Sequence, residues 1–186
     1  MKILILIDSL EIGGAETHVE LLCLELASLG HEIFVASWGG KIESRLIKNK
    51  IQCFRFSKIT KCKKKYADLS LFEEFIITKN AISKLIQTIK PEIVHAHTRK
   101  TAFLAHKMCQ KYKIPLVVTA HAKFSMNFPK NILSRWGVLT ISVSEDIKKH
   151  LQKYGVPTKQ IKIIPNGVKL PQNHHAIKPD AQKEIT

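Results

Sequence analysis

The sequence predicts an α/β domain: a single doubly wound parallel sheet of about seven strands, wrapped by helices. Two observations carry that reading. Strand-like and helix-like segments alternate along the chain almost without exception, as they do in a parallel sheet whose crossovers are helical. The strand-like runs are also apolar on both faces, as strands covered from both sides must be. With 186 residues there is room for one well-packed domain and too little for two of ordinary size. A hydrophobic content of 45% and aromatics at 7% are globular values, so the chain is expected to fold.

Taken in order, "KILILI" (Lys2–Ile7) is the first strand, ending at a turn with Gly13 and Gly14. Val19, Leu22, Cys23 and Leu26 then form one helical stripe, stopped by Gly30. "EIFVAS" is a second strand, "IESRLIKN" a short helix and "IQCFRF" a third strand. A basic loop, "SKITKCKKKYADLS", leads to Phe72, Phe75, Ile76, Ile82, Leu85, Ile86 and Ile89, which repeat at helical spacing until Pro91. "EIVHAH" is a fourth strand, Thr101 to Tyr112 a helix, "PLVVTAH" a fifth strand with its loop, and "VLTISVS" a sixth. Ser144 caps the helix "EDIKKHLQKY", whose first turn holds Glu145 and Asp146 and which Gly155 and Pro157 close. "IKIIPNGV" is a seventh short strand with an Asn-Gly turn. Residues 1–168 thus form one domain, and residues 169–186, with no apolar period and several breakers, read as a linker or tail.

"KILILI" is too short for a secretory signal and lacks a cleavage site, and no run approaches the roughly 20 apolar residues that span a bilayer. A cytoplasmic protein is expected. Cys23, Cys53, Cys62 and Cys109 fall at no metal-like or redox-like spacing and read as reduced thiols, mostly filling the core. The charge is uneven. Residues 41–65 hold ten Lys or Arg against one acid, Glu43, and so carry nine of the net fifteen positive charges. A solvated surface is the ordinary reading of such a run; its alternative is a polyanionic partner. Only Phe54, Phe56 and Tyr66 accompany the basic residues, too few for stacking on bases, so no nucleic-acid partner is expected.

Ligands of an open parallel sheet sit beyond the carboxyl ends of its strands. The unusual polar residues collect there: Gly13 and Gly14 after strand one, His95 and His97 at the end of strand four, His121 after strand five, Ser144 and Glu145 after strand six. A glycine turn opening a helix suits phosphate, because it aims free N–H groups and the positive end of the helix dipole outward. "GGAE" lacks the G-x-G-x-x-G spacing, and strand two ends in Ser37-Trp38 with no acid for a ribose, which argues against nicotinamide dinucleotides. His95, His97 and His121 share a face and a metal is conceivable, but no carboxylate or cysteine is spaced to complete a site, so no metal is expected. His95 reads as a core histidine, His97 divides evenly between core and site, and His121, in a loop with Lys123, leans to function.

"GGAETH", "PEIVHAHTRKTAFLA", "VVTAH" and "ISVSEDIKKHLQKYGVPTKQIKIIPNGV", in this order, closely resemble the N-terminal domain of family-4 retaining glycosyltransferases of the GT-B fold. The resemblance covers Met1 to about Val168. It implies a Rossmann-like domain, the N-terminal half of a two-domain enzyme, which mainly holds the acceptor while the second domain holds a nucleotide-sugar. By that match Gly13 and Gly14 approach the donor diphosphate, and His121 is the catalytic residue, contacting the transferred sugar. Glu16, Thr17, His18, His97, Arg99 and Lys123 line the acceptor side. The donor is a co-substrate, and no other cofactor is implied.

The resemblance further implies transfer to a glycan or lipid-linked acceptor, as in cell-envelope polysaccharide or lipopolysaccharide synthesis. The groups that neutralise the leaving diphosphate belong to the family's second domain, so the chain is expected to be inactive until a donor-binding domain or chain completes it. The alternative is a non-catalytic module attached to an anionic membrane or glycan. Lys61, Lys63, Lys64 and Lys65 are the expected membrane contacts, at the inner face of the cell membrane.

Overall fold

The computed structural model describes residues 1–124 and 135–168. Seven strands form one all-parallel sheet: β1 (Lys2–Leu6), β2 (Glu32–Ser37), β3 (Gln52–Arg55), β4 (Ile93–Ala96), β5 (Leu116–Ala120), β6 (Leu139–Ser142) and β7 (Ile161–Ile163). Their order is β3-β2-β1-β4-β5-β6-β7. The chain winds outward from β1 to one edge, then returns to β4 and winds to the other. The point of reversal lies between β1 and β4, and a crevice opens there beyond the strand ends. Among the described residues six α-helices accompany the strands: α1 (Gly14–Ser28), α2 (Glu43–Lys48), α3 (Phe56–Ile59), α4 (Leu71–Ile89), α5 (Arg99–Tyr112) and α6 (Glu145–Lys153).

Strand parity explains why β1 is apolar throughout. Ile3, Ile5 and Ile7 enter one core with Val19 and Cys23 of α1 and Leu46 of α2, while Leu4 and Leu6 enter another with Ile82 and Ile86 of α4 and Leu104 of α5. Each such side chain, fully buried, contributes about 1.5–3 kcal/mol. A smaller cluster joins Ala120 to Ile147 and Leu151 of α6. Cys23 and Cys109 are buried in these cores.

The helix ends follow the chemistry of their caps. Ser70 Oγ accepts from the Glu73 N–H at 3.2 Å while Glu73 Oε2 accepts from the Ser70 N–H at 3.0 Å, a reciprocal box that starts α4. Thr98 and Ser144 accept from Thr101 and Ile147 N–H groups at the starts of α5 and α6. Three expectations need correction. Phe56 does not end the third strand: its side chain is fully buried against Trp38, and the backbone turns into α3 there. The basic segment is not one loop, since it holds α3 and a 3-10 turn at Tyr66–Asp68. The helix expected from Thr101 begins at Arg99, because Thr98 is its cap. Residues 169–186, expected to be a linker or tail, lie outside the described residues.

Candidate functional site at the carboxyl edge of the sheet

Parity also assembles the site. His95 and His97 point to the same face of β4 as Ile5 does of β1, the face that α1 covers, and His121 follows β5 on that face. His18, in the second turn of α1, therefore meets His97 and His121 from above. His97 Nδ1 lies 3.0 Å from His121 Nε2, and the His18 ring stands 5.1 Å from His121 and 5.8 Å from His97, centroid to centroid. The three rings offer nitrogens that all lie within 4.8 Å of one another. Beneath them the His95 ring lies 4.2 Å from His97, tilted by 36°, and bonds Thr119 Oγ1 at 2.8 Å, so it is a satisfied core histidine. Strand parity gave the expected His95, His97, His121 grouping, but the third member is His18, since His95 is one step too deep.

Burial is the main electrostatic influence on these rings. It lowers His95 to about 3 and His121 to about 4, with mutual repulsion among the imidazoles adding to the effect. His97 falls well below the ordinary histidine value for the same reasons, and His18 is lowered by burial. At neutral pH the cluster is uncharged, and each ring presents one N–H donor and one lone pair.

The glycine turn opens the helix that carries His18. Gly13 caps α1 in extended backbone, no side chain caps the helix, and its first N–H groups face outward. A Cβ on Gly14 would meet no heavy atom within 4 Å, so the approach to that backbone is open. A Cβ on Gly13 would collide with the Glu16 carboxylate, which folds back over the turn. Glu16 thus occupies part of the space an anion would use at this helix end.

The remaining expected residues spread around the same edge. Arg99 places its guanidinium 4.3 Å from the Phe124 ring centre. Lys123 pairs with Asp146 of α6 at 2.6 Å, and Thr17 is exposed. A cavity of about 190 Å³ between β4 and β5 is lined by His97, Arg99, Thr119, His121, Lys123 and Phe124, among others. Two larger hollows, about 480 and 500 Å³, lie at the amino edge of the sheet, beside Pro115 and Pro91. The smaller cavity is the functional candidate, because His97 and His121 line it at the carboxyl ends of β4 and β5.

Sequence reasoning missed one group here. Asp8, just past β1, pairs with Lys100 Nζ at 3.1 Å; Lys100 also contacts Glu74, and Glu74 accepts from the Tyr66 hydroxyl at 3.0 Å. Burial raises Asp8, and Lys100 only partly offsets it. These residues come from four separate segments, so no local spacing announces them. Lys61, Lys63, Lys64 and Lys65 are all exposed, and Lys64 pairs with Glu73 at 2.6 Å.

The profile of Glycosyltransferase Family 4 matches residues 12–171. The chain belongs to glycosyltransferase family 4. Solved structures agree on the fold. HepE of Anabaena, crystallised with UDP and glucose, is 20% identical with a TM-score of 0.69 over 90% of this chain and 45% of its own. A glycosyltransferase of Rickettsia africae is 21% identical, TM-score 0.64, over 89% and 43%. The lipopolysaccharide outer core galactosyltransferase WaaB is 18% identical, TM-score 0.65, over 92% and 47%. This family-4 chain therefore spans somewhat under half the length of those enzymes, the share of a GT-B glycosyltransferase taken by its N-terminal domain. No curated protein matches the sequence.

Proposed function

We propose that this domain is the acceptor side of a retaining glycosyltransferase, moving a sugar from a nucleotide-sugar to a glycan or lipid-linked acceptor in cell-envelope polysaccharide or lipopolysaccharide synthesis. The observation that carries the reading is the contact of His121 with His18, 5.1 Å between ring centroids, on the helix that the uncapped glycine turn opens. In this reading the N–H groups at Gly13 and Gly14 face the donor diphosphate, and Glu16 swings aside to admit it. His121, neutral and a weak base, hydrogen-bonds a hydroxyl of the transferred sugar and holds it for attack. It is not the general base; the departing phosphate assists the acceptor hydroxyl. Glu16, Thr17, His18, His97, Arg99 and Lys123 line the acceptor side, and no cofactor beyond the donor is required.

A donor-binding domain, in the same chain or as a separate partner, supplies the groups that grip the nucleotide. The protein works in the cytoplasm at the inner face of the cell membrane, with Lys61, Lys63, Lys64 and Lys65 toward the lipid. The test joins the domain to a donor-binding half and measures sugar transfer. His121→Ala should cut turnover about a hundredfold, on the order of 2.7 kcal/mol in the barrier, with the fold intact. Near-normal turnover would return His121 to a structural role. Calorimetry of residues 1–186 alone against UDP- and GDP-sugars should give nothing tighter than about millimolar, roughly 4 kcal/mol.

A further inference from the structure

His18, His97 and His121 have more ring nitrogens than the protein satisfies. The bond between His97 Nδ1 and His121 Nε2 uses one nitrogen of each, leaving His97 Nε2 and His121 Nδ1 buried with no partner. His97 is only 4% exposed, so water does not relieve it. Three imidazoles that meet from one helix and two strand ends, each able to offer a nitrogen, are the donor set of a borderline cation.

We propose that His18, His97 and His121 form a three-imidazole site for a zinc-class divalent cation, with its fourth position open toward solvent. The distances fit. Zinc binds imidazole nitrogen at about 2.0–2.1 Å, so ligating nitrogens of a tetrahedral ion stand roughly 3.3 Å apart. One nitrogen from each of the three rings lies within 4.8 Å of the others, and the nearest pair, His97 Nδ1 and His121 Nε2 at 3.0 Å, exchanges its hydrogen bond for the ion. A rotation of the half-buried His18 closes the remainder without moving the sheet. His97 and His121 are held at strand ends, so two of the three ligands are preorganised.

The site shares His121 with the proposed transfer reaction but does not depend on it. A cation there occupies the nitrogens that would face the sugar, so it acts as an inhibitor, not as a cofactor.

The test uses the untagged full chain, freed of metal with chelator. Calorimetry with zinc sulfate should show one equivalent bound with a Kd in the micromolar range, about 8 kcal/mol. Cobalt(II) should give the visible bands of a four-coordinate nitrogen site, with no thiolate charge-transfer band from the four cysteines. His18→Ala, on a half-buried helix position, should weaken zinc by about tenfold or more while the circular dichroism stays native. Replacing His174 and His175, adjacent in the sequence near the C-terminus, should leave the affinity unchanged. Absence of a saturable single equivalent, equal binding by the His18 variant, a cobalt thiolate band, or loss only with the His174 and His175 pair would each overturn the proposal.

Discussion

At the scale of single residues, fold and function separate most cleanly at Gly14. The position is the first of α1, its Cβ would enter open space, and Ala is a better helix former than Gly. Gly14→Ala should therefore stabilise the domain by about 0.5–1 kcal/mol, read from denaturant midpoints. In the enzyme joined to a donor-binding half, the same methyl should raise the KM for the nucleotide-sugar, because it stands over the N–H groups assigned to the diphosphate. A stabilised variant with an unchanged KM would detach the glycine from donor binding. Gly40 is the contrasting case. Its φ is +147°, and a Cβ would collide with the backbone of Leu10 and Glu11, so Gly40→Ala should destabilise by on the order of 3 kcal/mol. In the sequence both are simply glycines after a strand; only the packing of neighbouring loops tells them apart. The resemblance gave His18 a place on the acceptor side, but its contact with His97 and His121 was hidden for a similar reason. His18 lies 79 residues from His97, and their meeting depends on which face of the sheet α1 covers.

At the scale of elements, strands and long helices were legible because burial on two faces and a 3.6-residue period leave direct marks in sequence. Short elements left none. The four-residue α3 exists because Phe56 must reach Trp38 beneath α4, a tertiary demand that overrode a β-like run. The start of α4 was readable in principle, since Ser70 and Glu73 have capping-box spacing. That cap has a pH signature. Bonds from Lys64 Nζ, then from the Ser70 backbone and hydroxyl, hold the Glu73 carboxyl down at about 2, below its ordinary value. A depressed folded-state value means stabilisation that is fully present above the unfolded value of 4.5 and fades as pH falls toward 2. Glu73→Gln should accordingly be less stable than the native chain at pH 7, and the gap between urea midpoints should narrow from pH 4.5 downward. A pH-independent gap would show that the carboxylate charge does not contribute.

At the scale of the whole molecule, the single reversal of winding gathers the helix N-terminus, the histidines and the basic segment on one edge. Alternation of strand and helix made that edge legible, as did the rule that ligands of an open parallel sheet sit beyond the carboxyl ends of its strands. It did not reveal how exposed the edge is near the lysines. Leu71 and Phe72, immediately after the basic segment, are 86% and 74% exposed, and Tyr66 is 48% exposed. Cationic groups followed along the chain by exposed apolar side chains would suit an anionic bilayer, where charge attracts and hydrocarbon settles at the headgroup boundary. Among the described residues Lys61, Lys63 and Lys65 make no ion pair, while Lys64 is partly neutralised by Glu73. Three lysines at about 1 kcal/mol each give roughly a hundredfold in partitioning. Co-sedimentation with vesicles of rising phosphatidylglycerol content should therefore bind the native chain and lose it when all four lysines become serine. The Lys64→Ser variant alone should behave nearly as the native chain. Raising the salt from about 0.1 M to 1 M shortens the screening length from about 10 Å to 3 Å and should release the electrostatic part, leaving only the weak hold of Leu71 and Phe72. Sedimentation indifferent to both salt and the four lysines would return this segment to an ordinary solvated surface.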